Sequence, residues 1–139
     1  MKEPVRSFMS TEVATLAPHD TLQTAVMLGM RHHIRHIPIV ENGSLIGVVT
    51  DRDLKRAMPS LLSGIDRDTY ERVMTTTTVG QIMTKSPTTI GPDDDLVVAV
   101  TILTERKFGG LPVVDGGRLV GILTETDLLR AFRTLLESR

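Results

Sequence analysis

GVVTDRD, at positions 47–53, returns as GILTETD at positions 121–127. Each stretch has a glycine, then a threonine three places on, then an aspartate three places after that. An apolar run leading into Thr-x-x-Asp reads as a strand that ends on a helix cap. The threonine caps the helix, and the acid at the third helical position reaches back to the cap's backbone N–H. A glycine inside such a strand often marks the close approach of a ligand or of another chain segment.

The similarity extends well beyond this stretch. Offsetting the chain by 74 positions (Met9 onto Met83) aligns Val5–Met58 with Val79–Phe132 without a gap. Thr15 falls on Thr89, Pro18 on Pro92, Ala25 on Ala99, Pro38 on Pro112, Gly43 on Gly117 and Arg56 on Arg130. Coincident prolines and glycines over an ungapped length are the signature of an internal duplication. The repeats occupy residues 5–58 and 79–136, with a linker over 59–78.

Within a repeat, a short helical turn ends at Met9, and a brief apolar piece spans Val13 to Leu16 (Thr88 to Ile90 in the second copy). Asp20 is expected to cap a helix that carries Leu22, Ala25, Val26 and Met30, with Leu96, Ala99, Val100 and Leu103 as its counterparts. Ile37 to Val40 and Leu45 to Val49 read as strands joined by the tight turn ENG, and in the second copy LPVV, DGG and LVGIL follow the same plan. The closing helix carries Leu54, Ala57 and Met58, or Leu128, Ala131, Phe132 and Leu135. The fold class is therefore α/β (α+β), with two β-α-β-β-α repeats. A unit of about 50 residues is too small to cover both faces of its sheet, so the two are expected to pack sheet to sheet with pseudo-twofold symmetry. In the linker, RDTYERVM reads as a short helix and TTTT as a connector.

Composition narrows the function. The 139 residues include 16 Lys and Arg against 17 Asp and Glu, a net charge of −1. That balance argues against a face built for nucleic acid. No apolar run approaches the ~20 residues of a membrane span, and MKEPVRSFMS lacks the apolar core of a secretory signal. The absence of cysteine excludes disulfides and thiolate chemistry. A cytoplasmic protein without a bound metal is expected. His32 and His36 are four apart, but the chain must leave its helix between them, so they do not form a ligand pair. No motif for a catalytic nucleophile, zinc hydrolysis or phosphate loop is present, and the chain is expected not to be an enzyme. Apolar periodicity assigns Met9, Met27, Met30, Met58 and Met83 to the core.

Unit length, strand order, the RHIPIV and GGLPVV strands, and the closing GxxTxxD in both repeats resemble a pair of cystathionine-β-synthase (CBS) domains. The AMPS stretch and charged linker helix before TTTTVGQIM are similar to stand-alone pairs of the acetoin-utilisation type. The resemblance implies a regulatory module with clefts between the repeats that bind adenosine nucleotides (AMP, ADP or ATP), with no obligatory cofactor. It also implies dimers, and a protein partner that the sequence does not name. An interaction and dimerisation scaffold with empty or degenerate clefts is the alternative. In the family, the threonine and aspartate of TxxD are implied to hold ribose, here Thr50 and Asp53, and Thr124 and Asp127. A carboxylate can accept from both hydroxyls of a ribose in charge-assisted bonds, which is compatible with its capping role. Residues around the proline-bearing strand, Arg35, His36, Ile37 and Pro38, with Leu111 and Pro112 in the second repeat, are implied to face the nucleotide. Arg35, His36 and Arg52 are the phosphate candidates; Gly109, Gly110 and Thr126 stand at the aligned positions. The helix bearing AVMLGM, and its counterpart bearing VVAVTIL, are apolar beyond one stripe, so a homodimer burying them is expected.

Overall fold

The computed structural model describes residues 2–139. The chain divides into two compact units. One is Ala14–Pro87; the other joins Thr88–Arg139 to the N-terminal stretch that ends at Val13.

In the Ala14–Pro87 unit, α1 (Leu22–His32) leads to the hairpin β1 (His36–Glu41) and β2 (Ser44–Thr50), and α2 (Asp51–Ala57) follows directly. The linker helix α3 (Arg67–Thr76), the short α4 (Val79–Ile82) and the two-residue β3 (Thr84–Lys85) complete it. Thr21, not Asp20, caps α1, accepting from the Thr24 N–H at 3.2 Å. Asp20 instead closes the preceding turn, its carboxylate accepting from the Ala17 N–H at 2.8 Å. That turn also cuts short the expected strand over 13–16, which survives as one parallel bridge from Leu16 to Ile39. The bridge explains Pro38. The Leu16 N–H donates to the Pro38 carbonyl at 3.1 Å, so this residue's nitrogen faces the same outer edge and a proline costs no bond to β2. Asn42 and Gly43, at φ 52° and 83°, form the two-residue hairpin turn, since both positions need the left-handed region. Leu22, Ala25, Ile37, Ile39, Val49, Leu54, Met74 and Val79 fill the core.

α3 runs two residues further than RDTYERVM, and the Thr75 and Thr76 hydroxyls donate back to the Glu71 and Arg72 carbonyls at 2.8 and 2.6 Å. Asp66 caps this helix through the Thr69 N–H at 2.7 Å, and that bond holds its carboxyl below the usual range.

The second unit repeats the plan with α5 (Leu96–Arg106), β4 (Gly110–Asp115), β5 (Arg118–Thr124) and α6 (Glu125–Glu137). Its core holds Ile90, Ala99, Leu103, Leu111, Val113 and Leu123, together with Val5 from the N-terminal stretch. Val5 sits in a 3-10 turn, and its N–H donates to the Asp94 carbonyl at 2.9 Å.

The compact units therefore cut across the sequence repeats. Each takes its leading segment from the other repeat: residues up to Val13 complete the second hairpin, and Val79–Lys85 complete the first. β3 pairs with β2 opposite Gly47 and Val48, while Ser10 and Ile122 exchange two backbone bonds of 2.9 Å. This exchange accounts for the strand glycines. A Cβ on Gly47 would lie 3.0 Å from the Thr84 carbonyl and against the Met83 side chain. One on Gly121 would lie 2.7 Å from the Met9 sulfur and 2.9 Å from the Ser10 carbonyl. The close approach is by the chain itself.

Two groups of apolar residues depart from the expected core. Met9, Met58 and Met83 pack inside as expected, but Met27 and Met30 lie exposed on α1, Met30 by 74%. On α6, Phe132 and Leu135 of the expected apolar stripe are exposed, as are Leu129 and Leu136. The sequence pattern counts these positions as apolar without showing what covers them.

Gly121→Ala is expected to destabilise the protein by about 1–3 kcal/mol, because the added carbon meets a backbone carbonyl that cannot step aside. A fall in the urea midpoint at unchanged slope checks it.

Candidate functional site

The Thr-x-x-Asp stretches sit where β2 enters α2 and where β5 enters α6. Both form complete capping boxes. The Asp53 N–H donates to Thr50 Oγ1 at 3.2 Å, and the Thr50 N–H donates to Asp53 Oδ2 at 2.9 Å. In the second unit the Asp127 N–H donates to Thr124 Oγ1 at 3.3 Å, and the Thr124 N–H to Asp127 Oδ2 at 2.8 Å. Asp53 and Asp127 are the two buried charged residues described, at 9% and 4% exposure.

Burying a carboxylate requires donors, and the exchanged segments provide them. The Thr84 hydroxyl donates to Asp53, 3.2 Å from Oδ2 and 3.5 Å from Oδ1. The Ser10 hydroxyl donates to Asp127 Oδ1 at 2.8 Å, and Arg130 Nη1 adds a contact of 3.3 Å to the same oxygen. No sequence motif marks Ser10, Thr84 or Arg130 as a site residue. One signal for them was present: Ser10 and Thr84 align, and each follows a methionine in the repeat.

The hairpin pairing brings the first repeat's candidates to the same end. His36 lies opposite Thr50 in the register, and the Asp51 N–H donates to the Arg35 carbonyl at 3.1 Å. Arg35 and Arg52 are exposed and stand on these adjoining pieces of backbone. Ile37 and Pro38 are buried, so Ile37's side chain belongs to the core and only its backbone borders the site. In the second unit Gly110 lies opposite Thr124, and the Glu125 N–H donates to the Gly109 carbonyl at 3.1 Å. Leu111 and Pro112 are buried as their counterparts are. The backbone frame is the same in both units, but the two positively chargeable side chains at the strand's entry, Arg35 and His36, are replaced by glycines.

Among the described residues, no three His, Cys, Asp or Glu side chains are grouped to hold a metal ion. A groove of about 660 Å³ does open on the Ala14–Pro87 unit, between α1 and α3, lined by Val26, Met27, Tyr70 and Met74 among others. It contains none of the candidate residues. Among the described residues no helix is long and apolar enough to cross a membrane.

The family model for the CBS domain matches the chain twice, at residues 5–60 and 79–134. The chain belongs to the CBS-domain family. A CBS domain-containing protein of Dictyostelium discoideum is 36% identical over 140 residues, covering 99% of this chain and 96% of the relative. Among solved CBS-pair structures, a protein assigned to acetoin utilization (AcuB) from Vibrio cholerae superposes with a TM-score of 0.83 at 30% identity, over 99% of this chain and 95% of that one. CBSX2 from Arabidopsis thaliana, solved in complex with AMP, gives a TM-score of 0.79 at 31% identity over 98% of both chains.

Thr50→Ala and Thr124→Ala each remove a helix cap from the ligand-free CBS pair. Each is expected to lower stability by about 1 kcal/mol, read as a shift in the urea midpoint.

Proposed function

We propose that this CBS pair is a regulatory module, not a catalyst, that binds an adenosine nucleotide (AMP, ADP or ATP) at its Thr-x-x-Asp carboxylates. The carrying observation is Asp53: a buried carboxylate whose Oδ1 has, among the described residues, only a 3.5 Å contact, beside the exposed Arg35 and Arg52. A ribose offers two adjacent O–H donors to such an oxygen pair, and arginine's planar fork suits phosphate. The likeness to CBSX2, solved with AMP, supports the same ligand class. In this reading Thr50 and Asp53 hold ribose. Arg35, His36 and Arg52 face phosphate, and the backbone at Ile37 and Pro38 borders the nucleotide. Thr124, Asp127, Leu111 and Pro112 are the second unit's counterparts. Occupancy would be signalled to a protein partner in the cytoplasm.

The exposed apolar residues on α5 (Val97, Val98 and Val100) and on α6 support a homodimer. They also support the second reading, an association scaffold without a ligand. Light scattering at micromolar concentration is expected to give twice the chain mass; the mass of one chain would contradict dimerisation.

Asp53→Ala is expected to weaken AMP binding about 10- to 100-fold, the loss of a charge-assisted pair of roughly 1.5–3 kcal/mol. A purely capping role predicts lower stability at unchanged affinity. Arg35→Ala with Arg52→Ala is expected to remove most of the preference for AMP over adenosine. In the wild type, AMP affinity should fall as salt rises. Calorimetry on the folded variants checks both.

A further inference from the structure

The two carboxylates occupy equivalent positions and carry unequal loads. An ionised carboxylate has about four acceptor sites on its two oxygens. Asp127 fills all four. Oδ2 accepts from the Thr124 N–H at 2.8 Å and the Thr124 hydroxyl at 3.1 Å, and Oδ1 from Ser10 at 2.8 Å and Arg130 at 3.3 Å. Among the described residues, Asp53 has two donor groups, the Thr50 N–H and a single Thr84 hydroxyl shared between its oxygens at 3.2 and 3.5 Å. Arg56, the counterpart of Arg130, makes no such contact among the described residues; it stands in the last turn of the seven-residue α2, whereas Arg130 lies within the thirteen-residue α6.

We infer that the two sites are not equivalent: Asp53 is open to a vicinal diol, while Asp127 is locked by Ser10 and Arg130 of its own chain. The inference rests on the nucleotide-binding reading above and names which carboxylate serves it. Ser10 is a firm lock because its backbone is fixed by two bonds of 2.9 Å to Ile122. A diol arriving at Asp127 must displace a short charge-assisted bond, whereas one arriving at Asp53 meets acceptor positions that no described group of the chain occupies. Ser10 and Arg130 are thus positioning residues that decide occupancy without touching the ligand.

The test is AMP binding to the full chain by calorimetry and equilibrium dialysis, with folding followed by circular dichroism. The wild type is expected to bind one AMP per chain and 2′-deoxy-AMP at least tenfold more weakly, because only the ribonucleotide carries the diol. Asp53→Asn should weaken that site at least tenfold, taking it out of the stoichiometric count. Ser10→Ala combined with Arg130→Met should raise the count to two, and adding Asp53→Asn to this pair should return it to one. If the double variant fails to fold, Arg130→Met alone decides: a second, weaker site supports the lock, and an unchanged count overturns it. Two equal sites in the wild type, or one site indifferent to Asp53→Asn, would overturn the inference while leaving nucleotide binding intact. No AMP binding by the wild type or any variant would remove the underlying reading and the inference with it.

Discussion

Each unit is organised around a buried aspartate that cannot be left without donors. The carboxylate ties three pieces of chain together: the strand end through the threonine N–H, the helix start through the capping box, and the exchanged segment through a hydroxyl. An unpaired charge at this depth would be strongly disfavoured. The serine or threonine of the exchanged segment is therefore part of the fold's own accounting. The strand glycine belongs to the same arrangement, because the segment can lie close enough to donate only where there is no side chain beneath it.

This arrangement makes the two repeats interdependent. A single repeat has its capping box but lacks the hydroxyl and the apolar residue that the other repeat contributes, Val5 to one core and Val79 to the other. Covalent duplication thus provides more than a second copy, since each copy completes its partner's core. It also permits divergence. With the backbone frame held by these shared contacts, Arg35 and His36 can be glycines in the second copy, and an arginine three residues after the aspartate can reach the carboxylate in one copy only.

Much of this was legible from residues at fixed spacing. The hairpins, their turns and the capping boxes are local, and period-two apolar runs, Asn-Gly and Gly-Gly turns and Thr-x-x-Asp report them directly. Sequence places the α1 cap one residue early because Asp20 and Thr21 are both good caps, and only the geometry of the Ala17 turn assigns Asp20 elsewhere. The apolar piece over 13–16 reads as a strand because a single bridge carries the same pattern as a longer pairing. The exchange of leading segments was not legible, since a linear repeat does not state which hairpin a segment joins. The exposure of Met30, Phe132 and Leu135 was hidden for a related reason: periodicity marks a face as apolar without naming what it packs on. At the candidate site the carboxylates and cations could be named, whereas the donors from Ser10 and Thr84 lie far away in sequence.

The central claim, that this CBS pair binds an adenosine nucleotide, is tested most directly by thermal unfolding of the wild-type protein against AMP, ADP, ATP, S-adenosylmethionine and NAD. A ligand bound only by the native state stabilises it by RT ln(1 + [L]/Kd), about 2.7 kcal/mol at a hundredfold excess over Kd. The account predicts a saturable rise in melting temperature with AMP, ADP or ATP. An unchanged melting temperature with every member of the panel at millimolar concentration would contradict it.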